Sequence, residues 1–319
     1  MASHSESRST HWSSIKEAGT SFGLKFLWLM HQIFGRAMVS FLLVPTVAYF
    51  LLFRPETRRS SKQFLIAHHQ KYPAFWKRKP GLINVARHFW EFAETVVDKL
   101  QSWFVDIDAE LFDIQNPDYI EQAMADPRGR LIIGSHFGNL EYCRGFVHRY
   151  RERVINILIH DKHSENYNTL MRQLNPESRI NIFQVSEFDI SNMLKIKAKI
   201  DAGEWIFIAG DRSPPSGSRR TLEVDFMGRT SYLPIGPYML ANALACPVDL
   251  LFTYCDYATK DYRITVELNS FAEQIKLDRK HREHQLQLYA QAYADALERH
   301  CAVAPYQWFN FYDFWAKHD

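Results

Sequence analysis

A histidine and a glutamate that follow a short apolar run are the residues of this chain best suited to chemistry. The run Leu131-Ile-Ile-Gly-Ser leads into His136, and Glu141 comes five positions later. An imidazole can take a proton from a hydroxyl or an amine, and a carboxylate that accepts its Nδ1 proton fixes its tautomer. The segment therefore predicts a general base, His136, that is oriented by Glu141.

The spacing restricts how the two side chains can meet. Residues five apart on one helix lie roughly 140° apart around its axis, so His136 has to precede a helix and Glu141 has to lie in its first turns. Gly134, Ser135 and Gly138 supply the small residues that such a turn needs. A structural histidine beside a solvated glutamate is the other interpretation, and the motif alone leaves both open.

The elements that must position this pair alternate between strand and helix. Apolar runs bounded by turn residues predict strands, which span 131–135, 154–160, 180–185, 205–209, 222–226, 247–254 and 262–268. Helical periodicity predicts helices. They lie within 61–125, run from the turn at His136 to about residue 150, and span 187–200, 236–245 and 281–301. The alternation predicts an α/β fold with a mostly parallel central sheet flanked by helices. Ligands of such sheets bind at the carboxyl ends of the strands.

Two further segments carry candidate binding residues. Asp211-Arg212 follows the strand predicted at 205–209, where an arginine can hold a phosphate or carboxylate and the aspartate can keep that arginine in place or bond an acceptor. The glycine-bearing loop with Gly228-Arg229 runs towards a predicted helix, whose first N–H groups can face an anion or an oxyanion. An ordinary surface ion pair and an ordinary loop are the simpler interpretations.

The order of these motifs resembles a known family. The turn H-x4-E, the strand end G-D-R, the segment Phe226-Met-Gly-Arg-x4-Pro-x-Gly-Pro and the segment Ala245-Cys-Pro-Val-Asp-Leu-Leu-Phe follow one another along the chain. They are similar to those of the lysophospholipid acyltransferase superfamily, in the branch that includes the late acyltransferases of lipid A synthesis. Within it, the chain looks most like the acyltransferases of bacterial aryl polyene pathways, over roughly residues 11–316.

The resemblance implies roles for these residues. His136 looks like the family's general base, Glu141 stands where many members have aspartate, and Asp211, Arg212, Gly228 and Arg229 match the substrate-binding motifs. The wording F-P-E-G-x-R of glycerolipid acyltransferases is missing, which argues against a simple glycerol phosphate as acceptor. The implied enzyme moves a fatty or polyene acyl group to a hydroxyl or amine of a lipid-like acceptor. Its donor is an acyl thioester on acyl carrier protein or coenzyme A, and it uses no cofactor.

Two alternatives to transfer remain open at this stage. A thioesterase would use the same base with water as the acceptor. A lipid-binding membrane protein without catalysis would keep the fold alone. The histidine pairs His160/His163 and His281/His284 lack further ligands at useful spacing, so no metal site is expected.

The first 60 residues differ in composition from the rest. Residues 1–21 are polar and serine-rich, residues 22–60 form a hydrophobic anchor, and residues 61–319 form the acyltransferase domain. Fourteen of the seventeen residues from Ala37 to Phe53 are apolar. A length of seventeen residues is about the lower limit for a helix that spans a bilayer. An anchor in or on the inner leaflet, a single span, and a hairpin on the protein's own core are the three interpretations.

Charge and cysteines indicate where the protein works. The segment from Arg54 to Arg87 contains nine lysines and arginines and one acidic residue. Its charge is therefore +8, in a chain whose net charge is +2. This basic segment predicts contact with anionic lipid headgroups, with an acidic carrier protein as a second partner and no nucleic acid. The four cysteines show no paired spacing, which favours a reducing compartment. Together with the resemblance to bacterial acyltransferases, these features imply the cytoplasmic face of the bacterial inner membrane as the expected location.

The end of the chain is dense in aromatic residues. Seven of the ten residues from Tyr306 to Trp315 are aromatic. Such a segment can line an acyl tunnel or lie at a membrane interface, because tryptophan and tyrosine suit the headgroup zone. It can equally pack into the core, and the sequence leaves these interpretations side by side.

Overall fold

The described part of the chain forms seven α-helices and nine strands. The computed structural model describes residues 21–101, 109–139, 142, 153–159, 180–184, 190–212, 221–255, 257 and 263–316. The helices are α1 (Ser21–Phe53), α2 (Pro55–Lys71), α3 (Leu82–Gln101), α4 (Pro117–Ala125), α5 (Ile190–Asp201), α6 (Gly236–Leu244) and α7 (Arg282–Val303). The strands are β1 (Phe112–Ile114), β2 (Arg130–Gly134), β3 (Ile155–Ile159), β4 (Ile180–Gln184), β5 (Trp205–Ala209), β6 (Thr221–Phe226), β7 (Arg229–Pro234), β8 (Val248–Cys255) and β9 (Ile264–Ala272).

Seven of these strands form one mixed sheet. Their order is β1-β9-β8-β2-β5-β3-β4, and β8, β2, β5, β3 and β4 all run parallel. Strand β9 runs antiparallel to β8, and β1 runs parallel to β9. The mostly parallel sheet with flanking helices confirms the predicted fold class.

The central strand β2 is buried on both faces, as expected for a parallel sheet covered on both sides. Leu131 and Ile133 point into the larger core, which they share with residues of α1, α2, α3, α6 and α7. Ile132 points to the opposite face and packs in the smaller core, together with Ile120 and Ala123 of α4. This double burial makes the end of β2 a rigid position from which to present a side chain.

Helix α1 packs on the protein through one stripe and leaves its other side exposed. A break in helical geometry at Gly35 (φ 74°) divides it. Val39, Leu43 and Val47, spaced four apart, are buried in the same core as residues of α3, and Ser40 Oγ donates to Glu94 Oε1 at 3.0 Å. This stripe of α1 therefore packs on the protein's own core. The exposed face carries large apolar residues, which are Leu29, Ile33, Phe34, Met38, Phe41, Val44, Tyr49, Leu52 and Phe53.

None of the described helices is by itself both long and apolar enough to cross a membrane. One pair, Met38–Phe53 with Pro55–Lys71, meets the length and composition requirement jointly, but its two helices are bent by 91° at the break between them.

Two features of the fold differ from the sequence-based expectation. The segment from residue 61 to residue 125, expected to be helical, also contains the short strand β1. The segment after β6, expected to be a loop leading into a helix, forms strand β7, which pairs antiparallel with β6. The helix expected directly after residue 136 falls mostly outside the described residues.

Candidate active site

Two parallel neighbours, β2 and β5, place the central residues of the site. The strands pair in register up to Gly134 and Ala209, and the Gly210 N–H continues the ladder to the Gly134 carbonyl at 2.9 Å. His136 and Asp211 each lie two residues beyond the last pair. Because neighbouring parallel strands bring equal offsets to the same height, the two side chains meet at the carboxyl edge of the sheet.

The contact between them is a two-point hydrogen bond. His136 Nδ1 lies 2.8 Å from Asp211 Oδ1, and the His136 backbone N–H donates to Asp211 Oδ2 at 2.9 Å. The Asp211 side chain is 1% exposed, whereas that of His136 is 35% exposed. The carboxylate therefore fixes the imidazole from inside the protein while the ring keeps an open side.

The protonation states follow from the surroundings. Burial alone would raise the pKa of Asp211, but the charges of His136 and Arg212 and the hydrogen bonds from His136 hold it at about 2. Burial and the charge of Arg212 lower the pKa of His136, and Asp211 opposes them. At neutral pH the carboxylate is thus ionised and only accepts, so Nδ1 of a neutral His136 carries the proton. Its Nε2 is then an unprotonated base.

The aromatic stretch from Tyr306 to Trp315, called the C-terminal segment below, closes the site from a third direction. Trp308 Nε1 donates to Asp211 Oδ2 at 3.1 Å, and the Phe309 N–H donates to the His136 carbonyl at 2.9 Å. The Gly138 N–H donates to the Gln307 carbonyl at 2.7 Å. Five aromatic residues of this segment are buried, which supports the core-packing interpretation; they are Tyr306, Trp308, Phe309, Tyr312 and Phe314.

The turn after His136 is fixed on strand β8. Asn139 N–H donates to the Thr253 carbonyl at 3.3 Å, and Thr253 Oγ1 donates to the Asn139 carbonyl at 2.7 Å. Gly138 has a φ of +66°, and a Cβ added there would lie 1.5 Å from the Thr253 oxygen. Only glycine fits this position, so the turn that presents His136 depends on it.

The expected partner of His136 Nδ1 was Glu141, and the structure places Asp211 there instead. Nδ1 offers one bonding position, and Asp211 Oδ1 occupies it. Glu141 lies outside the described residues, so its role in catalysis stays a prediction. Its neighbour Tyr142 is buried and donates to Asp98 of α3, which also accepts from Tyr257 at 2.6 Å.

Arg212 lies beside the pair and contacts the C-terminal segment. Its Nη2 donates to the Phe309 carbonyl at 3.0 Å, and its guanidinium lies 6.0 Å from the centre of the Tyr312 ring. Both carboxylate oxygens of Asp211 bond His136, and the charge of Arg212 acts on Asp211. The expected role of Asp211 in keeping Arg212 in place or bonding an acceptor remains a prediction. A role of Arg212 in holding a phosphate or carboxylate remains a prediction.

Gly228 and Arg229 belong to the β6–β7 hairpin. Met227 and Gly228 have φ values of 57° and 71°, as a tight two-residue hairpin turn requires. Arg229 begins β7, and its guanidinium lies 4.6 Å from the centre of the Trp315 ring. The hairpin reaches the site through Phe226, whose ring lies 5.0 Å from that of Trp308. A phosphate-binding role for Gly228-Arg229 remains a prediction.

A second histidine beside a hydroxyl has a structural role. His88 is fully buried, with Ser61 Oγ 2.9 Å from its Nδ1 and the Trp308 carbonyl 2.9 Å from its Nε2. Because the carbonyl only accepts, Nε2 carries the proton and Nδ1 accepts from Ser61. Burial lowers the pKa of His88 to about 4, so it stays neutral and anchors the backbone of Trp308.

The fold and the site together define a class of protein. A neutral histidine, held by a buried carboxylate at the carboxyl edge of a parallel sheet, suits an enzyme that removes a proton from a hydroxyl or an amine. The sequence model of the bacterial lipid A biosynthesis acyltransferase family matches residues 6–317, so the chain belongs to this family and is an acyltransferase. A comparison with curated proteins finds no match.

Proposed function

We propose that this protein is a membrane-associated enzyme that transfers an acyl group from a thioester to a hydroxyl or amine of a lipid-like acceptor. The observation that carries the proposal is the hydrogen bond from His136 to Asp211, which leaves Nε2 as a base on the open side of the ring. Family membership supports acyl transfer to a lipid. The carrier of the acyl group, acyl carrier protein or coenzyme A, is part of the proposal.

The proposed mechanism has two steps. His136 Nε2 takes the proton of the acceptor as its oxygen or nitrogen attacks the thioester carbonyl, which forms a tetrahedral intermediate. Asp211 stabilises the imidazolium that results. The intermediate then expels the thiolate of the carrier, which takes up the proton from His136. The acyl group passes directly to the acceptor, so no acyl-enzyme is needed.

The membrane part of the proposal rests on the surface of α1 and the basic segment after it. The exposed face of α1 includes Phe41, Leu52 and Phe53, each at least two-thirds exposed. Arg59, Lys62, Lys77, Arg78 and Lys79 of the basic segment are also exposed. Apolar side chains beside cations favour an anionic bilayer surface, which combines apolar burial with charge attraction.

Vesicle binding tests this membrane contact. The double variant Phe41→Asp/Leu52→Asp is expected to lower the bound fraction on phosphatidylglycerol-containing vesicles severalfold, because two charges would enter the apolar zone. The control Leu194→Asp/Leu288→Asp changes two equally exposed leucines of α5 and α7. Co-sedimentation measures both variants, and an equal loss in the two would contradict the assignment of this face to the membrane.

Product analysis distinguishes transfer from its alternatives. The full-length protein, given acyl carrier protein or coenzyme A thioesters and a bacterial lipid extract, is expected to produce acylated lipid faster than free fatty acid. Mass spectrometry of both products measures the ratio, with His136→Ala as the matched control. Fatty acid alone would indicate a thioesterase, and neither product with intact vesicle binding would indicate a lipid-binding protein.

The finer assignment concerns the acyl group and its pathway. On the sequence resemblance given above, we propose a polyene acyl group and a place among aryl polyene acyltransferases. The same product analysis tests it with polyene and saturated acyl thioesters side by side. A preference for the saturated donor would reject this assignment and leave the acyl-transfer proposal standing.

A further inference from the structure

The indole of Trp308 contacts the carboxylate that orients the base. Its Nε1 donates to Asp211 Oδ2 at 3.1 Å, and both side chains are buried, at 0% and 1% exposure. The same oxygen accepts the His136 backbone N–H at 2.9 Å, so Oδ2 has two donors while Oδ1 faces the imidazole. The indole N–H therefore fixes which carboxylate oxygen is turned to the base.

The position of the indole is itself determined by its surroundings. The rings of Phe64, Phe226 and Phe314 lie 4.9, 5.0 and 4.8 Å from that of Trp308, centre to centre. The Trp308 carbonyl accepts from His88 Nε2. These rings pack around the buried indole, whose N–H is directed at Asp211.

We propose that Trp308 is a positioning residue for acyl transfer, which acts through Asp211 to set the orientation and basicity of His136. This inference rests on the proposed function, in which His136 is the base. A hydrogen bond donated to a carboxylate draws off part of the carboxylate's negative charge. The carboxylate then stabilises a protonated neighbour less strongly. Removing the indole N–H is therefore expected to concentrate the charge of Asp211 on His136 and to stabilise the imidazolium.

Other charged and titratable groups act on the pair and have to stay constant in a test. Lys99 of α3 and Arg212 act on His136 by charge. Tyr293 and Cys301 of α7 and Tyr312 of the C-terminal segment lie close enough to Asp211 to interact with its charge. The substitution of Trp308 leaves all five side chains in place.

Trp308→Phe removes the N–H and keeps an aromatic ring in the packed site. Trp315→Phe is the matched control, because Trp315 belongs to the same segment but its Nε1 donates to the Phe226 carbonyl at 3.4 Å. Site-specific replacement of Trp308 by 3-benzothienylalanine, in which sulfur takes the place of the N–H, is a second variant that preserves the shape of the indole.

The experiment titrates His136 by NMR of histidine-labelled full-length protein in detergent micelles, with His136→Gln assigning the signal. The pKa of His136 is expected to rise by about half a unit to one unit in both Trp308 variants and to stay unchanged in Trp315→Phe. The acid limb of the kcat/KM profile for acyl transfer is expected to move upward by the same amount.

Two outcomes would overturn the inference. One is an unchanged pKa of His136 in the folded benzothienylalanine variant, and the other is an equal shift in Trp315→Phe. The titration needs no substrate, so it stays informative if the wild-type protein transfers no acyl group. A wild-type protein that transfers no acyl group would reject the proposed function. The titration alone would then test the link between Trp308, Asp211 and His136.

Discussion

Replacing Asp211 with asparagine is expected to lower kcat/KM for acyl transfer by about a thousandfold without unfolding the protein. The reason lies in the donors around the side chain. Oδ2 accepts from the His136 N–H and Trp308 Nε1, both of which are fixed donors. The single oxygen of asparagine has to face them, so its NH₂ group faces His136 Nδ1. The imidazole then carries its proton on Nε2 and cannot act as a base.

The comparison with Glu141→Gln makes this expectation specific. The sequence motif predicts Glu141 as the carboxylate that orients His136. Its replacement by the neutral isostere glutamine is expected to lower the rate about tenfold. Single-turnover acyl transfer and circular dichroism melting of both variants measure activity and fold. A larger loss in Glu141→Gln than in folded Asp211→Asn would reject Asp211 as the orienting carboxylate.

Replacing His136 with alanine is expected to reduce acyl transfer by about three orders of magnitude, since general base catalysis contributes about 10²–10⁴. The fold is expected to survive, because the contacts of His136 that fix the turn are made by its backbone N–H and carbonyl. Its side chain is 35% exposed. The rate of acyl transfer and the melting temperature, measured on the same preparation, check both expectations.

The outcome of this substitution separates a base from a structural histidine. A structural histidine would show itself as a lower melting temperature with nearly full activity in the remaining folded protein. A folded His136→Ala protein that retains more than about a tenth of the wild-type rate would contradict the mechanism.

The sequence predicts the parallel core of the fold well, because its strands carry a strong local signal. The predicted strand 205–209 coincides with β5, and the strand predicted at 131–135 is β2 shifted by one residue. A strand that is buried on both faces appears in the sequence as a continuous apolar run. Such a run can be recognised without knowing which strands are its neighbours. Strand β7 lacks it, because Arg229 and Thr230 are exposed and only its later residues contribute to the core.

The pairing of His136 with Asp211 is the part that the local sequence does not reveal. The sequence predicts a functional residue separately at the end of each of the two strands. Their contact depends on β2 and β5 being neighbours, although β3 and β4 come between them in the chain. The sequence favours Glu141 as the partner because it lies only five residues from His136. The equal offset of two residues holds for the observed strands, whose last pair is Gly134 with Ala209. The predicted strand 131–135 places His136 only one residue after its end, so the sequence does not show this offset.

The role of the C-terminal segment depended on tertiary contacts in the same way. Its aromatic density predicts burial, but nothing in Gln307-Trp308-Phe309 indicates that the backbone bonds the turn at His136 and Gly138. Trp308 stands out only when its N–H is seen to point at Asp211. Side chains that act through another residue leave no pattern of spacing in one sequence.

The tautomer of His136 is the measurement that tests the central claim most directly. Nitrogen-15 NMR of histidine-labelled full-length protein at neutral pH distinguishes a protonated Nδ1 from a protonated Nε2 without any substrate. The account predicts a protonated Nδ1 and a bare Nε2 in the wild type, and the reverse in Asp211→Asn. A wild-type His136 that carries its proton on Nε2, or that is charged at neutral pH, would contradict it.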